Sequence, residues 1–329
     1  MSNLSLSVVV CTHNPRYDYL SRAIEALVKQ TLDASRWELI IVDNASTEAV
    51  SSQHDLSWHP KAHFAFESRL GHIFARVAGI QHSTAPAIVF VDDDNVVQDH
   101  YLERAVAILT EWPRLGALCG SLQGEFEAKP RWIARWQSLI AVDPINGDCW
   151  SNNPDDHRAY PCGAGLVVRR DVASRWAELV RQDEARRNLS RMGSGLAGGE
   201  DTDLILTGLS MGYGMGRFKD LELTHLIPAR RVEPAYLIAI AAGHAWSDMW
   251  VRYVWKRNFP SSGIVRRMMS LARAVSGGWL AFRIELARQM ATERARCAIQ
   301  RVSAECRLFE SGGAEQRSDD AEGSASIIG

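Results

Sequence analysis

The sequence predicts an α/β protein: a Rossmann-like, mostly parallel, doubly wound sheet flanked by helices, followed by a helical C-terminal extension. Three observations carry this. Short β-branched apolar runs alternate with segments of helical periodicity in the first part of the chain, which is the pattern of βαβ units. Thr12, Asp43 and the Asp92–Asp94 cluster stand where three of those runs end, and open α/β sheets bind ligands beyond the carboxyl ends of their strands. From residue 235 onward the periodicity is helical.

Taken in order, "LSVVVCT" (6–12) is β-branched and reads as a buried strand. After the Asn-Pro punctuation, Leu20, Ile24, Leu27 and Val28 recur at helical spacing. "WELIIVDNAS" is a second strand ending in polar residues, "GHIFARVAGIQHS" a second helix and "AIVFVDDD" a third strand. "HYLERAVAILTEW" follows as a third helix and "LGALCGSL" as a fourth strand. From about 121 to 230 the pattern loosens into a Trp-rich loop, "KPRWIARW", and a small-residue turn and strand in "YPCGAGLVVRRDV". A helix then starts near Val172, "GLAGGEDTDLILTGLSMGYG" is a loop entering a helix, and "DLELTHLIP" is a closing strand.

Composition narrows the class. With 329 residues, 46% of them apolar, and a net charge of −2, the chain has material for a large core and no electrostatic argument for a nucleic-acid partner. Its six cysteines include no CxxC pair, so neither a zinc site nor a redox pair is signalled, and reduced thiols in a cytoplasm are the simplest reading. The start "MSNLSLSVVVCTHNP" has no basic n-region or long apolar stretch, so no signal peptide is expected. No apolar run reaches the roughly 18–20 residues that span a bilayer; "AYLIAIAAGHAW" is too short and carries His244.

Three consecutive carboxylates at the end of a buried strand need neutralising. Carboxylates a residue or two apart can bind a hard cation through oxygen, and Mn²⁺ or Mg²⁺ held there can bridge the phosphates of a nucleotide. The bland alternative is a solvated acidic turn. A sharper one is that Asp92-x-Asp94-x-Val96 also fits the nucleophile motif of haloacid-dehalogenase-like phosphatases, with "GGEDTD" as their distal acidic motif.

The ordered set decides between these. "SVVVCTHNPRYDYLSRAIEALVKQT", "WELIIVDNAS", "ESRLGHIFARVAGI" and "AIVFVDDDN", followed by "GAGLVVRRDV", "GGEDTDLILTGLSMGYG" and "THLIP", together resemble the family-two glycosyltransferases of GT-A fold over roughly residues 5–230. A phosphatase reading leaves the first two elements unexplained. The resemblance implies a glycosyltransferase domain over 1–234, with a nucleotide-sugar half (1–120) and an acceptor half (121–234). It leaves a helical extension over 235–310 and a tail, 311–329, whose composition predicts disorder.

The resemblance also implies roles. Thr12 and Asp43 would contact the base and ribose of a nucleoside-diphosphate sugar, a UDP-sugar by family frequency. Arg69 and Arg76 sit where the family has a basic helix start facing the nucleotide; Val77 stands where it often has Asn. Asp92 and Asp94 frame a DxD-type motif, with Asp94 the preferred ligand of Mn²⁺ or Mg²⁺ and Asp93 close behind or on the nucleotide sugar. His225 would complete the metal shell or touch the diphosphate; its bland reading is structural. Asp201, ahead of Glu200, would be the base of an inverting hexosyl transfer, and Asp203 would favour the helix dipole. The acceptor would be a saccharide or a lipid-linked group, in polysaccharide, glycolipid or other glycoconjugate synthesis. A catalytically silent nucleotide-sugar-binding module is the alternative.

Three further features are weighed here. Gly193-x-Gly195-x-x-Gly198 fits a dinucleotide fingerprint, but the polar "DEARRNLSRM" before it cannot be the strand that fingerprint needs, so a loop closing over the donor is expected. Trp132 and Trp136 read as core or as a sugar-stacking surface. From Arg252 to Arg301 there are eleven basic residues and two acids, interleaved with Trp and Phe. Such helices lie on an anionic bilayer, here the inner face of the membrane, or pack on the catalytic domain or on a second copy in a homo-oligomer.

Overall fold

The computed structural model describes residues 4–190, 196, 198–256 and 263–322. Its nine strands are β1 (Leu6–Thr12), β2 (Trp37–Asp43), β3 (Ala62–Phe66), β4 (Ala87–Asp92), β5 (Asn95–Val97), β6 (Leu115–Phe126), β7 (Cys149–Ser151), β8 (Leu166–Arg169) and β9 (Gly214–Ile227). The helices are α1 (Tyr17–Val28), α2 (His72–His82), α3 (Tyr101–Glu111), α4 (Arg170–Gln182), α5 (Glu184–Arg187), α6 (Glu200–Ser210), α7 (Pro234–Val254), α8 (Ile264–Ser276) and α9 (Trp279–Glu322).

One sheet runs in the order β3-β2-β1-β4-β8-β6-β9-β5, with β7 on β9. Strands β1 to β4 are mutually parallel, and β6 is parallel to β9. β8 lies antiparallel between β4 and β6, while β5 and β7 run antiparallel to β9. The sheet is therefore mostly parallel in strand direction, as expected, with β8 and the short β5 and β7 reversed. Parallel neighbours need a crossover that carries the chain back along the sheet. Between β6 and β8 there are only 3₁₀ turns and β7, so β8 starts from the end where β6 finishes.

Helices cover both faces, which is why the central strands are apolar without interruption. Leu6, Val8 and Val10 of β1, with Leu39, Ile41, Val89 and Val91, meet Leu20, Ile24 and Leu27 of α1 and Leu102 and Ile108 of α3. The intervening Val9, Ile40, Val42, Ile88 and Phe90 meet α2, α4 and α6 on the other face. α2 sits so close to β1 that a Cβ on Gly79 would stand 2.3 Å from Val9 Cγ1. Each of these side chains, fully buried, contributes about 1.5–3 kcal/mol.

The sequence reading passed over β3, β5 and β7. Only Ala65 of β3 is buried and the other two have three residues each, so none shows the long apolar run that marks a central strand. Residues 311–322, read as tail, continue α9, and 323–329 lie outside the described residues. Gly193 and Gly195 of the expected closing loop also lie outside them.

The extension is joined to the core rather than appended to it. Leu237, Ala241 and Ile284 pack with Ile133, Ile140 and Ile227, and Met249, Trp250, Ala295 and Ile299 pack with Leu189 and Leu206. Asp203 anchors this junction. It is fully buried and accepts from the Arg186 guanidinium, from Trp176 Nε1 at 2.9 Å and from Trp255 Nε1 at 2.7 Å. Favouring the α6 dipole is thus a minor part of its role. Asp203→Ala should destabilise the fold by about 3–5 kcal/mol, because the buried Arg186 would keep only the longer 3.5 Å pair with the partly exposed Asp183 and two indole N–H groups would lose their acceptor. Urea denaturation measures this; a loss below about 1 kcal/mol would mean that Asp183 alone compensates Arg186.

Candidate active site

The carboxyl ends of β1, β2 and β4 deliver their polar residues to one region. Thr12, the last residue of β1, donates to Asp93 Oδ2 at 2.5 Å. Asp43, at the end of β2, accepts from the backbone N–H groups of Ser46 (2.9 Å) and Val50 (3.0 Å), so its carboxylate shapes the loop that follows. Asn44 beside it donates to the carbonyls of Glu67 and Arg69 and accepts from the N–H of Gly71. It thereby ties the end of β2 to the entry of α2. Arg69 is held by Glu67 at 2.9 Å and lies over the Phe74 ring.

Asp92 to Asp94 form the tight turn between β4 and β5. Asp93 is half-buried, and desolvation of its carboxyl together with the neighbouring charges of Asp94 and Asp92 pushes it up to about 7, against the Thr12 hydrogen bond and the pull of Arg231. The site holds more negative charge than it compensates. Asp94 is buried in an ion pair with Arg231, whose Nη2 is 3.0 Å from Asp94 Oδ2. Arg231 Nη1 also donates to His225 Nε2 at 2.8 Å. Since guanidinium only donates, Nε2 carries the lone pair, and Nδ1–H donates to the Ala141 carbonyl at 3.2 Å.

A second cation sits under the cluster. Arg76 is buried, with its guanidinium over the Phe90 ring and Nη2 donating to the Gly163 carbonyl at 3.3 Å. Its Nε and Nη1 have no hydrogen-bond partner among the described residues. Burial opposes its charge, but Glu200, Asp92 and Asp201 hold its pKa above the ordinary arginine value.

Glu200 and Asp201 open α6, and the structure gives them different surroundings. Glu200 is buried and engaged: His72 Nδ1 is 2.8 Å from its Oε1, and His72 Nε2 is 3.9 Å from Asp92 Oδ1. Asp201 accepts from the N–H of Thr202 at 2.7 Å, and its Oδ2 lies against Gly163, where a Cβ would come within 2.7 Å. Both line a cavity of about 340 Å³ that also takes in Cys162, His225 and Arg231. Its far wall is α7, through Tyr236, Ile240, His244 and Asp248. Trp132 and Trp136 border a separate groove of about 590 Å³ with Trp279.

For a divalent cation the donor set is suitable in kind. Asp94 Oδ2 and the His225 Nε2 lone pair are 3.3 Å apart, and hard oxygens with one imidazole suit Mn²⁺ or Mg²⁺. Anchoring of the second ring nitrogen on a carbonyl is usual for metal-bound histidine. The donors fit once Arg231, which bonds to both, moves aside. Among the described residues, no group of three or more His, Cys, Asp or Glu side chains is already placed to hold an ion.

Sequence reasoning missed Arg231, His72, Gly163 and Asn44. Arg231, six residues after His225 in "THLIPARR", and His72, at the start of α2, had only proximity to a motif to mark them.

Residues 7–173 match the family model described as glycosyl transferase family 2. An uncharacterized glycosyltransferase of Nostoc sp. is 27% identical over 178 residues, 51% of this chain and 52% of that protein. YwdF of Bacillus subtilis, an uncharacterized glycosyltransferase, is 30% identical over 101 residues, 31% of this chain and 37% of that one. The glycosyltransferase AglE of Haloferax volcanii is 25% identical over 108 residues, 32% and 35% of the two chains. The chain thus spans about half the length, or less, of these curated relatives. A crystal structure of S. aureus TarS 1–349 aligns with a TM-score of 0.47 at 13% identity, over 90% of this chain and 92% of that one. With the match to residues 7–173 covering just over half its length, the chain belongs to glycosyl transferase family 2.

Proposed function

We propose that the protein transfers a hexosyl group from a nucleoside-diphosphate sugar, UDP-sugar favoured, to an acceptor hydroxyl with inversion. The observation that carries this reading is the pairing of one cavity-lining carboxylate, Asp201, with a carboxylate-rich strand end at Asp92–Asp94. Asp201 takes the proton of the acceptor hydroxyl as its oxygen attacks the anomeric carbon. Glu200, engaged by His72, orients the start of α6 and adds to the field around Arg76. Thr12, Asp43 and Arg69 border the nucleotide. Tyr236, His244 and Asp248 of α7 face the acceptor, a saccharide or lipid-linked group from glycoconjugate synthesis, in a cytoplasmic setting. Asp94, Asp92 and His225 would hold Mn²⁺ or Mg²⁺, whose positive charge would stabilise the departing diphosphate. Arg231, bonded to Asp94 and His225, would have to leave both for those atoms to hold the ion.

A second reading draws on Arg231 itself. With a guanidinium already bonded to Asp94 and His225, a catalytically silent nucleotide-sugar-binding module needs no ion there. UDP release from UDP-sugars, measured with Mn²⁺ across a set of saccharide acceptors, separates the two. Donor binding with no release in any combination supports the silent module.

Asp201→Asn keeps the size of the side chain and removes the proton acceptor. Transfer should fall about 10²–10⁴-fold with donor affinity near wild type. If more than about a tenth of the rate survives, the base is another group. Gly163→Ala places a methyl against Asp201 Oδ2; the displaced carboxylate should lower kcat by about tenfold or more at unchanged donor affinity. An unchanged kcat would show that Asp201 needs no such positioning. EDTA should abolish transfer, and Asp94→Ala should weaken both Mn²⁺ and nucleotide-sugar binding in calorimetric titrations. Full activity of that variant in chelator removes the metal assignment.

A further inference from the structure

One amphipathic surface belongs neither to the core nor to the cavity. On α8, Val265, Met268, Met269 and Val275 are each between 52% and 71% exposed. With Ala272 they fall at positions i, i+3, i+4, i+7 and i+10, which at 3.6 residues per turn is one stripe about 120° wide. Stripes of this kind normally face a core. Here the opposite side of the helix faces α9, where Arg267 pairs with Glu293, Ser270 donates to Glu285 at 2.6 Å and Gln289 donates to the Arg267 carbonyl at 3.2 Å. No described residue of α8 is buried. The stripe continues to Trp279, 63% exposed at the turn into α9, with the Arg283 guanidinium 5.3 Å from its ring centre.

The charge around this stripe has one sign. α8 carries Arg266, Arg267 and Arg273 and no acidic residue, and Arg266 and Arg273 are exposed. The two acids of the following stretch, Glu285 and Glu293, are turned into the α8–α9 contact. What remains outward is Met, Val and Trp beside arginine. That is the composition of a helix lying in the interface of an anionic bilayer, with its apolar side among the acyl chains and its arginines at the headgroups. A protein partner fits less well, since a stable interface uses about 20–30 residues per side and this stripe with Trp279 offers six. No helix among the described residues is long and apolar enough to cross a membrane, so the contact is with the surface.

We infer that the outward face of α8, with Trp279 and Arg283, seats the protein on an anionic lipid surface. The seat uses none of the residues assigned to transfer, so it stands or falls apart from that reading.

Vesicle co-sedimentation of the full chain tests it. The protein should sediment with vesicles rich in phosphatidylglycerol and stay in solution with phosphatidylcholine alone. Binding should weaken as salt shortens the screening length from about 10 Å at 0.1 M to about 3 Å at 1 M. M268D/M269D should lose sedimentation through the apolar stripe, and R266E/R273E should lose it through charge; both sites are exposed, so neither exchange touches the core. Sedimentation that ignores lipid charge, or that persists in both variants, overturns the inference. So does binding retained by M268D/M269D alone, which would mean charge adsorption without insertion. Light scattering on the same samples covers the remaining occupant: a wild-type dimer that M268D/M269D turns into monomer assigns the face to a second copy and overturns the lipid seat.

Discussion

Five carboxylates, Asp92, Asp93, Asp94, Glu200 and Asp201, are gathered where the strands of one sheet end, and a low-dielectric site does not keep like charges together without counter-charge. Two arginines supply it. Arg76 reaches from α2 beneath Asp92, Glu200 and Asp201, and Arg231 reaches from the turn after β9 to Asp94. Most of the remaining architecture serves to hold these cations in place. Gly79 lets α2 lie close on β1, Phe90 supports the Arg76 guanidinium, and the parallel run of β9 beside β6 delivers His225 and Arg231 to the aspartate turn.

Neutralisation is incomplete, and the remainder is where ligand chemistry enters. Asp93 is pushed up to about 7 by desolvation and its neighbours, and two Arg76 nitrogens have no hydrogen-bond partner among the described residues. On the proposed function, a nucleoside diphosphate would bring anionic oxygens to the Arg76 guanidinium, and a divalent cation would relieve the aspartates. Arg231 bonds to both Asp94 and His225, so a metal ion at those two atoms would have to displace its guanidinium.

The C-terminal helices join the catalytic region to a surface. α7 is at once a wall of the 340 Å³ cavity and, through Trp255 and Asp203, a brace for the start of α6. α9 packs on α7 and carries α8 on its other side. A protein seated through α8 would therefore keep this cavity wall in a fixed relation to the lipid surface, because each step of that path is a packed or hydrogen-bonded contact.

Local pattern determined much of this protein. Uninterrupted apolar runs marked β1, β2 and β4, because strands covered on both faces need no alternation, and the polar residues ending them marked the edge where the candidate site gathers. The order of the motifs carried the family, and "GGEDTDL" placed two acids at a helix start. Short strands such as β5 and β7, and the reversal of β8, left no periodic signal, since they depend on partners far along the chain. Asp201 and Glu200 are neighbours in sequence with the same chemistry. Only the fold, by setting His72 against one and Gly163 against the other, gives them different surroundings. Arg231 and the outward turn of α8 were decided in the same way: a side chain's partner is a matter of distance in space, and the sequence alone records distance along the chain.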